Sequence, residues 1–138
     1  MTNSVIKTND GRKSALYRIF TTNANLSSTQ YLAPTQFGVG SGQADLDITQ
    51  TDLTKRCPIT GTATGKAFST GYPTFDYTNM EVTIRCYVNT LESNGNLLNG
   101  VGLFNADSAV LMTDAAKFTG QSKSNTDEFV YVFKNRIM

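Results

Sequence analysis

Asp45, Asp47 and Asp52 stand close together, and Asp-x-Asp spacing can open a calcium loop. The sixth-position glycine and twelfth-position glutamate of such a loop are missing, so the cluster reads as a loop capping its own backbone. Gly38-Val-Gly-Ser-Gly42 invites a phosphate-loop reading, but it lacks both the dinucleotide fingerprint and a Gly-Lys-Ser/Thr ending. Asp127 and Glu128 are neighbours and on a strand point to opposite faces, which denies them a paired-carboxylate role. Cys57 and Cys86 have no histidine beside them and are too few for a zinc site, so they read as buried free thiols, with a single disulfide as the alternative. Lys117 and Lys123 near Phe118, and Lys134 and Arg136 near Phe133, are too sparse for a nucleic-acid groove with stacking aromatics. Tyr72, Phe75 and Tyr77 fit either a sugar-stacking platform or a protein interface.

The chain has no histidine. That removes Ser-His-Asp and Cys-His nucleophiles and the commonest transition-metal ligand. No catalytic, cofactor-binding or metal-binding residue is therefore assigned, and a binding or structural role is expected in place of an enzyme. Twelve Lys+Arg against eleven Asp+Glu leave a net charge of +1, with only 17% of residues charged, so no global field draws the chain to nucleic acid or anionic lipid. No apolar run reaches the roughly 18–20 residues of a membrane-spanning helix, and the start lacks the apolar core of a signal peptide. Synthesis in the cytoplasm and no membrane partner are the expectations.

The 138 residues suit one domain. Thr, Ser and Asn make up roughly three residues in ten, alongside eleven glycines, a composition that favours strands joined by turns. Residues 1–13 read as a polar arm or edge piece outside the core, mobile in an isolated monomer and ending in the turn-type Asn9-Asp10-Gly11, ahead of a single β-domain over 14–138. Ser14–Thr22 reads as a strand with one largely apolar face. Gly38–Gly42 implies a close backbone approach or a bulge, not a regular strand interior. Asp45–Leu53 is expected to be a loop pinning its apolar residues to the core, and Lys55–Thr62 an edge strand broken by Cys57-Pro58.

Met80–Val88 alternates most cleanly, with Met80, Val82, Ile84, Cys86 and Val88 on one face. Asn94-Gly95 and Asn99-Gly100 read as turns, and Gly102–Met112 as a hairpin. Glu128–Lys134 is apolar on both faces, which predicts a strand covered on both sides, one of them by a partner. The whole predicts an all-β fold, an antiparallel β-sandwich or small barrel with long loops.

Two segments resemble a known module. Phe37-Gly-Val-Gly-Ser-Gly42, followed by Thr51-Asp-Leu53 and Lys55-Arg56, resembles a pattern in small structural proteins of tailed bacteriophages. Gly102-Leu-Phe-Asn-Ala-Asp-Ser-Ala-Val-Leu-Met112 resembles the Gly-Leu-Phe-(Asn/Asp)-Ala hairpin later in that module. The module is the attachment domain at the start of tail-collar fibre proteins. Its motif positions here are Phe37, Gly38, Gly40, Gly42, Asp52, Leu53, Gly102, Leu103, Phe104 and Asn105. Asn99-Gly-Val101 replaces a charged pair common before the hairpin, and Ser14–Thr22, read as a strand, lacks the helical start usual in the fibre proteins. The chain also stops soon after the module, without shaft or tip.

The resemblance implies a virion structural protein: a tail, baseplate or collar adaptor or fibre-attachment component that binds other virion proteins and performs no chemistry. Capsid decoration on the head surface is the alternative, and a carbohydrate-binding module the alternative from another class. A homo-oligomer is expected, with a trimer among the options. Its contact surface is expected at Tyr72, Phe75 and Tyr77 and on one face of Phe129, Tyr131 and Phe133, with the arm able to lend a strand to a neighbour. A near-neutral surface makes assembly depend on shape and apolar contact. Retention of the chain on its particle is accordingly expected to survive a rise in ionic strength, measured by sedimentation; release by salt alone would contradict this.

Overall fold

The computed structural model describes residues 4–27, 30–60, 65–105 and 111–136. Along these residues run β1 (Ser4–Lys7), α1 (Asn9–Phe20), β2 (Pro34–Ser41), β3 (Lys66–Ala67), β4 (Thr74–Asp76), β5 (Glu81–Val88), β6 (Leu97–Asn105), β7 (Met112–Ser122) and β8 (Phe129–Arg136). They form a five-stranded sheet, β1-β7-β6-β2-β3, and a three-stranded sheet, β4-β5-β8. Every pairing is antiparallel. The fold is the expected all-β sandwich, without closure into a barrel.

Period-two alternation builds the core. Ile84, Cys86 and Val88 of β5 and Phe133 of β8 point inward, against Phe37 and Val39 of β2, Val101 and Leu103 of β6 and Ala116 of β7. Each of the larger side chains, Val, Ile, Leu and Phe, contributes about 1.5–3 kcal/mol by leaving water. Both cysteines are buried free thiols of this layer.

The larger sheet is also covered on its other face. Gly38 lies opposite Gly102 and Gly40 opposite Gly100 across β2 and β6, so this face carries a strip without side chains. The loop after β2 lies in the strip: a Cβ on Gly40 would stand 2.9 Å from the Lys55 carbonyl oxygen, and one on Gly100 3.1 Å from the Gln43 side chain. Leu53, buried with Phe104, Met112 and Ala115, closes this second cluster, and Leu46 packs against it. The pinning loop expected over Asp45–Leu53 is therefore present through Leu46 and Leu53, while its third apolar residue, Ile48, is 41% exposed. The Arg56 guanidinium sits 4.0 Å from the Phe104 ring centroid and its Nε donates to Asp52 at 2.8 Å, tying the loop to the hairpin.

Several expectations are corrected. Ser14–Thr22 is not a strand; α1 runs through it. Thr8 caps the helix by accepting from the Gly11 amide at 3.1 Å, Asp10 lies in the first turn and Arg18 in the last, both favourable to the helix dipole. The alternation of Leu16 to Phe20 imitates a strand, while Gly11 and Ser14, one turn apart, are the residues buried. Gly11 allows this because its Cα presses on the Thr113 carbonyl of β7. Residues 4–7 of the expected mobile arm pair in register with β7, Val5 opposite Ala116.

Gly38 and Gly40 do lie inside strand β2, while the expected close backbone approach, of Lys55 to Gly40, and a register shift, between Gly40 and Ser41, are both present. Gly100 lies within β6 and not in a turn, whereas Gly95, with φ of 82°, is in one. Of the expected strand Lys55–Thr62, the bridge Gly40–Arg56 is what forms at the β2 edge; residues 61–62 lie outside the described residues. β6 and β7 pair as the expected hairpin, whose turn, 106–110, lies outside them too. Within the chain β8 is covered on one face, and on the other, the one left for a partner, Val130 and Val132 are 46% and 53% exposed.

Gly40→Ala is expected to destabilise the fold by about 1–3 kcal/mol through the clash with Lys55, read from the denaturant midpoint. Ser41→Ala, on a half-buried neighbour, is expected to change it by less than about 0.5 kcal/mol. An unchanged midpoint for Gly40→Ala would show that the loop does not need the strip.

Candidate protein interface

The sheets part at one end of the sandwich and leave a groove of about 450 Å³. One wall is the β4–β5 hairpin with Phe75, Tyr77, Met80 and Val82; the other carries Ala15 of α1 and Pro34. Phe75 and Tyr77 are 60% and 77% exposed, with ring planes 9° apart and centroids 6.1 Å apart. A carboxylate holds them in place. Asp76 accepts from the Thr78 amide at 3.0 Å, the Asn79 amide at 3.1 Å and the Asn79 side-chain amide at 2.7 Å. These bonds, the Asn79 side chain foremost, hold its carboxyl below the ordinary aspartate value. Met80 closes the turn with a left-handed φ of 53°, a backbone state that non-glycine residues rarely adopt, and remains 59% exposed at the groove.

The groove floor is polar and closed. Lys7 donates to both oxygens of Asp114 at 3.1 and 3.0 Å, with the Asp114 side chain 2% exposed and the Asn135 amide 3.4 Å away. An apolar wall above a satisfied ion pair suits the side chains of a protein partner. On α1, which lends Ala15 to the groove, Leu16, Ile19 and Phe20 are 60%, 66% and 78% exposed and follow helical spacing. Nothing in the sequence reading singled them out, because the strand assignment divided them between two faces.

Of the expected contact residues, Phe75 and Tyr77 meet at the groove. Tyr72 is half-buried beside it and donates its amide to Ser69, while Pro73 lines the groove in its place. Phe129, Tyr131 and Phe133 face the opposite sheet: Phe133 is 5% exposed, and the Tyr131 ring packs tilted against Phe118 with centroids 5.0 Å apart. They are core residues, since the pleat puts Val130 and Val132 outside. Burial pushes the Tyr131 hydroxyl up, and among the described residues it has no hydrogen-bond partner. The motif residues build the scaffold. Phe37, Leu103 and Phe104 are fully buried, Gly42 takes a left-handed φ of 57°, and Asn105 bridges the Leu32 carbonyl and the Leu111 amide.

The sequence reading missed the buried charges. Glu92, with its side chain 1% exposed, accepts from Lys66 Nζ at 2.7 Å, the Thr60 amide at 2.6 Å and the Asn89 amide at 2.9 Å. Burial raises its pKa, but these three donors outweigh burial and leave it below the ordinary 4.5. Lys123, 2% exposed, donates to the Asn94 side chain at 2.8 Å and the Ser124 carbonyl at 2.9 Å. Lys117 is paired with Asp45 at 2.7 Å, so neither lysine serves a basic groove. Among the described residues no three His, Cys, Asp or Glu side chains gather to hold a metal. Asp47 is satisfied by Thr49, as a self-capping loop requires.

Glu92→Gln is expected to cost about 2–4 kcal/mol near neutral pH, because the half-buried Lys66 loses its counter-charge. A depressed folded-state pKa stabilises above the unfolded value, so the deficit of the variant is complete above pH 4.5 and shrinks as pH falls through the folded-state value of Glu92. Denaturation midpoints across that range read it, and a deficit independent of pH would contradict the assignment. No protein-family model, curated protein or solved structure matches this chain at a significant level.

Proposed function

We propose that the chain is a non-enzymatic structural subunit of a tailed-bacteriophage particle, an adaptor or attachment component of the tail, baseplate or collar that engages other virion proteins. The observation that carries this reading is that the segments bearing the resemblance form one unit. Phe37–Gly42 and Gly102–Asn105, far apart in sequence, pair as β2 and β6, and Leu53 of the intervening element lies over their glycines. Short glycine motifs arise easily by chance, but these share one packing problem. The helix α1 in the N-terminal half supports the reading, since the fibre proteins usually start with a helix.

The groove at Phe75 and Tyr77 supports a role in protein contact. Its hairpin is fixed by Asp76 and displays two aromatic rings and Met80 to solvent. Rigid, amphipathic rings of this kind anchor interfaces at low entropic cost. Side-by-side oligomerisation through the same surface is part of the proposal.

Quantitative mass spectrometry of purified particles of the phage that encodes the chain tests the reading. The chain is expected in the particle at a copy number that is a small multiple of the tail symmetry. Phe75→Ser with Tyr77→Ser is expected to lower incorporation at least tenfold while leaving the denaturation midpoint within about 0.5 kcal/mol of the parent. A copy number that follows the head lattice would move the chain to capsid decoration. Absence from the particle would overturn the proposal.

A further inference from the structure

The three-stranded sheet ends at β8, and among the described residues no strand pairs with the outer edge of β8. β8 lies over β7: the Phe118 and Tyr131 rings are 5.0 Å apart, and the Asn135 amide is 3.4 Å from Asp114. The larger sheet extends one strand further, to β1. Val5 of β1 pairs with the core residue Ala116, and directly opposed residues share a face, so Val5 points into the layer between the sheets. It is nevertheless 54% exposed, because nothing described lies above it. The space between Val5, Phe118 and residues 130–134 of β8 is a groove of about 630 Å³.

We propose that this groove receives one extended segment of a partner polypeptide as a fourth strand, paired antiparallel to β8 and lying over β1. The open edge supplies the hydrogen bonds: every second residue of β8 turns its N–H and C=O away from β5. Width limits the guest to a single strand. A second copy of the chain does not fit by its own β8, since its β7 beneath that strand would collide with β1. Edge strands are usually guarded by charge or proline; the charges of β8, Lys134 and Arg136, stand at its end, and the stretch Phe129–Phe133 before them contains neither, which leaves that stretch open to pairing.

Charge sets the direction and the register. Exposed Lys134 stands toward one end and exposed Glu128, whose carboxylate also meets the Tyr87 hydroxyl of β5, just before the other, both on the outward face with Val130 and Val132. The guest is therefore a segment with an acidic residue opposite Lys134 and, six positions later, a basic residue opposite Glu128, with apolar residues between them. Its inward side chains cover Val5, and its outward ones extend the Val130–Val132 surface. This inference concerns a surface apart from the Phe75 groove and holds whichever particle the chain belongs to.

The probe is a synthetic peptide with the sequence of Glu128–Arg136, whose charges meet this pattern when it lies antiparallel with its tyrosine opposite Tyr131. Added to the isotope-labelled full chain, it is expected to slow amide exchange at least tenfold at alternate residues of β8 and to shift the Val5 methyl signals. A peptide with its glutamate and lysine exchanged is expected to bind about threefold to tenfold more weakly. Val5→Asp in the chain is expected to lower affinity at least tenfold while leaving the β5–β8 exchange pattern intact. Unchanged exchange at millimolar peptide, shifts confined to Phe75 and Tyr77, or full affinity in Val5→Asp would each overturn the proposal.

Discussion

The close approach of a loop to a strip of sheet without side chains is the contact on which the rest of the molecule depends. Two glycine pairs lie across β2 and β6; Gly40 leaves room for the Lys55 carbonyl, which a Cβ would meet at 2.9 Å, and Gly100 for the Gln43 side chain. The larger sheet is thereby buried on both faces, which lets a chain of this size build two apolar clusters where a plain sandwich has one. With the loop seated, Arg56 reaches Phe104 and Asp52, Cys57 enters the main core, and β2 is fixed between β6 and the short β3. The second sheet then packs on an already rigid layer.

Charge is used sparingly and placed where loops must be held. Glu92 collects donors from Lys66, Thr60 and Asn89 and so joins the segment after Cys57 to the β5–β6 turn. Lys7 and Asp114 tie β1 to β7 under the Phe75 groove. Asp76 does the same for the hairpin that displays Phe75 and Tyr77. Each of these groups is satisfied, which leaves the apolar walls of the groove as the surface that the proposed contact would use. This agrees with a near-zero net charge and a low charged fraction, since a protein that assembles by apolar contact needs little long-range attraction.

The strands with one buried face were legible in the sequence because alternation reports burial directly; β5 from Glu81 to Val88 is the clearest example. The loop over Asp45–Leu53 and the exposed aromatics at Phe75 and Tyr77 were legible for similar reasons. The helix was not. Leu16, Tyr17, Arg18, Ile19 and Phe20 alternate like a strand, and the deciding signals were the Thr8 cap and the small residues Gly11 and Ser14 that let α1 sit against β7. The apolar character of β8 on both faces was read as two-sided cover, while tertiary packing buries one face only. The ion pairs Lys66–Glu92 and Lys7–Asp114 join residues far apart in sequence, and their carboxylates carry no local sign of burial.

The central claim is that this chain acts by presenting a rigid apolar groove to another structural protein. A photo-crosslinking amino acid placed at Tyr77 in assembled particles, with the adduct identified by peptide mapping, tests it most directly. The account predicts a covalent adduct between position 77 and a single partner protein or neighbouring copy, and none from the same probe at Asp47 in the exposed loop on the far face of the larger sheet. Equal labelling from both positions, or none from Tyr77 in an intact particle that contains the chain, would contradict it.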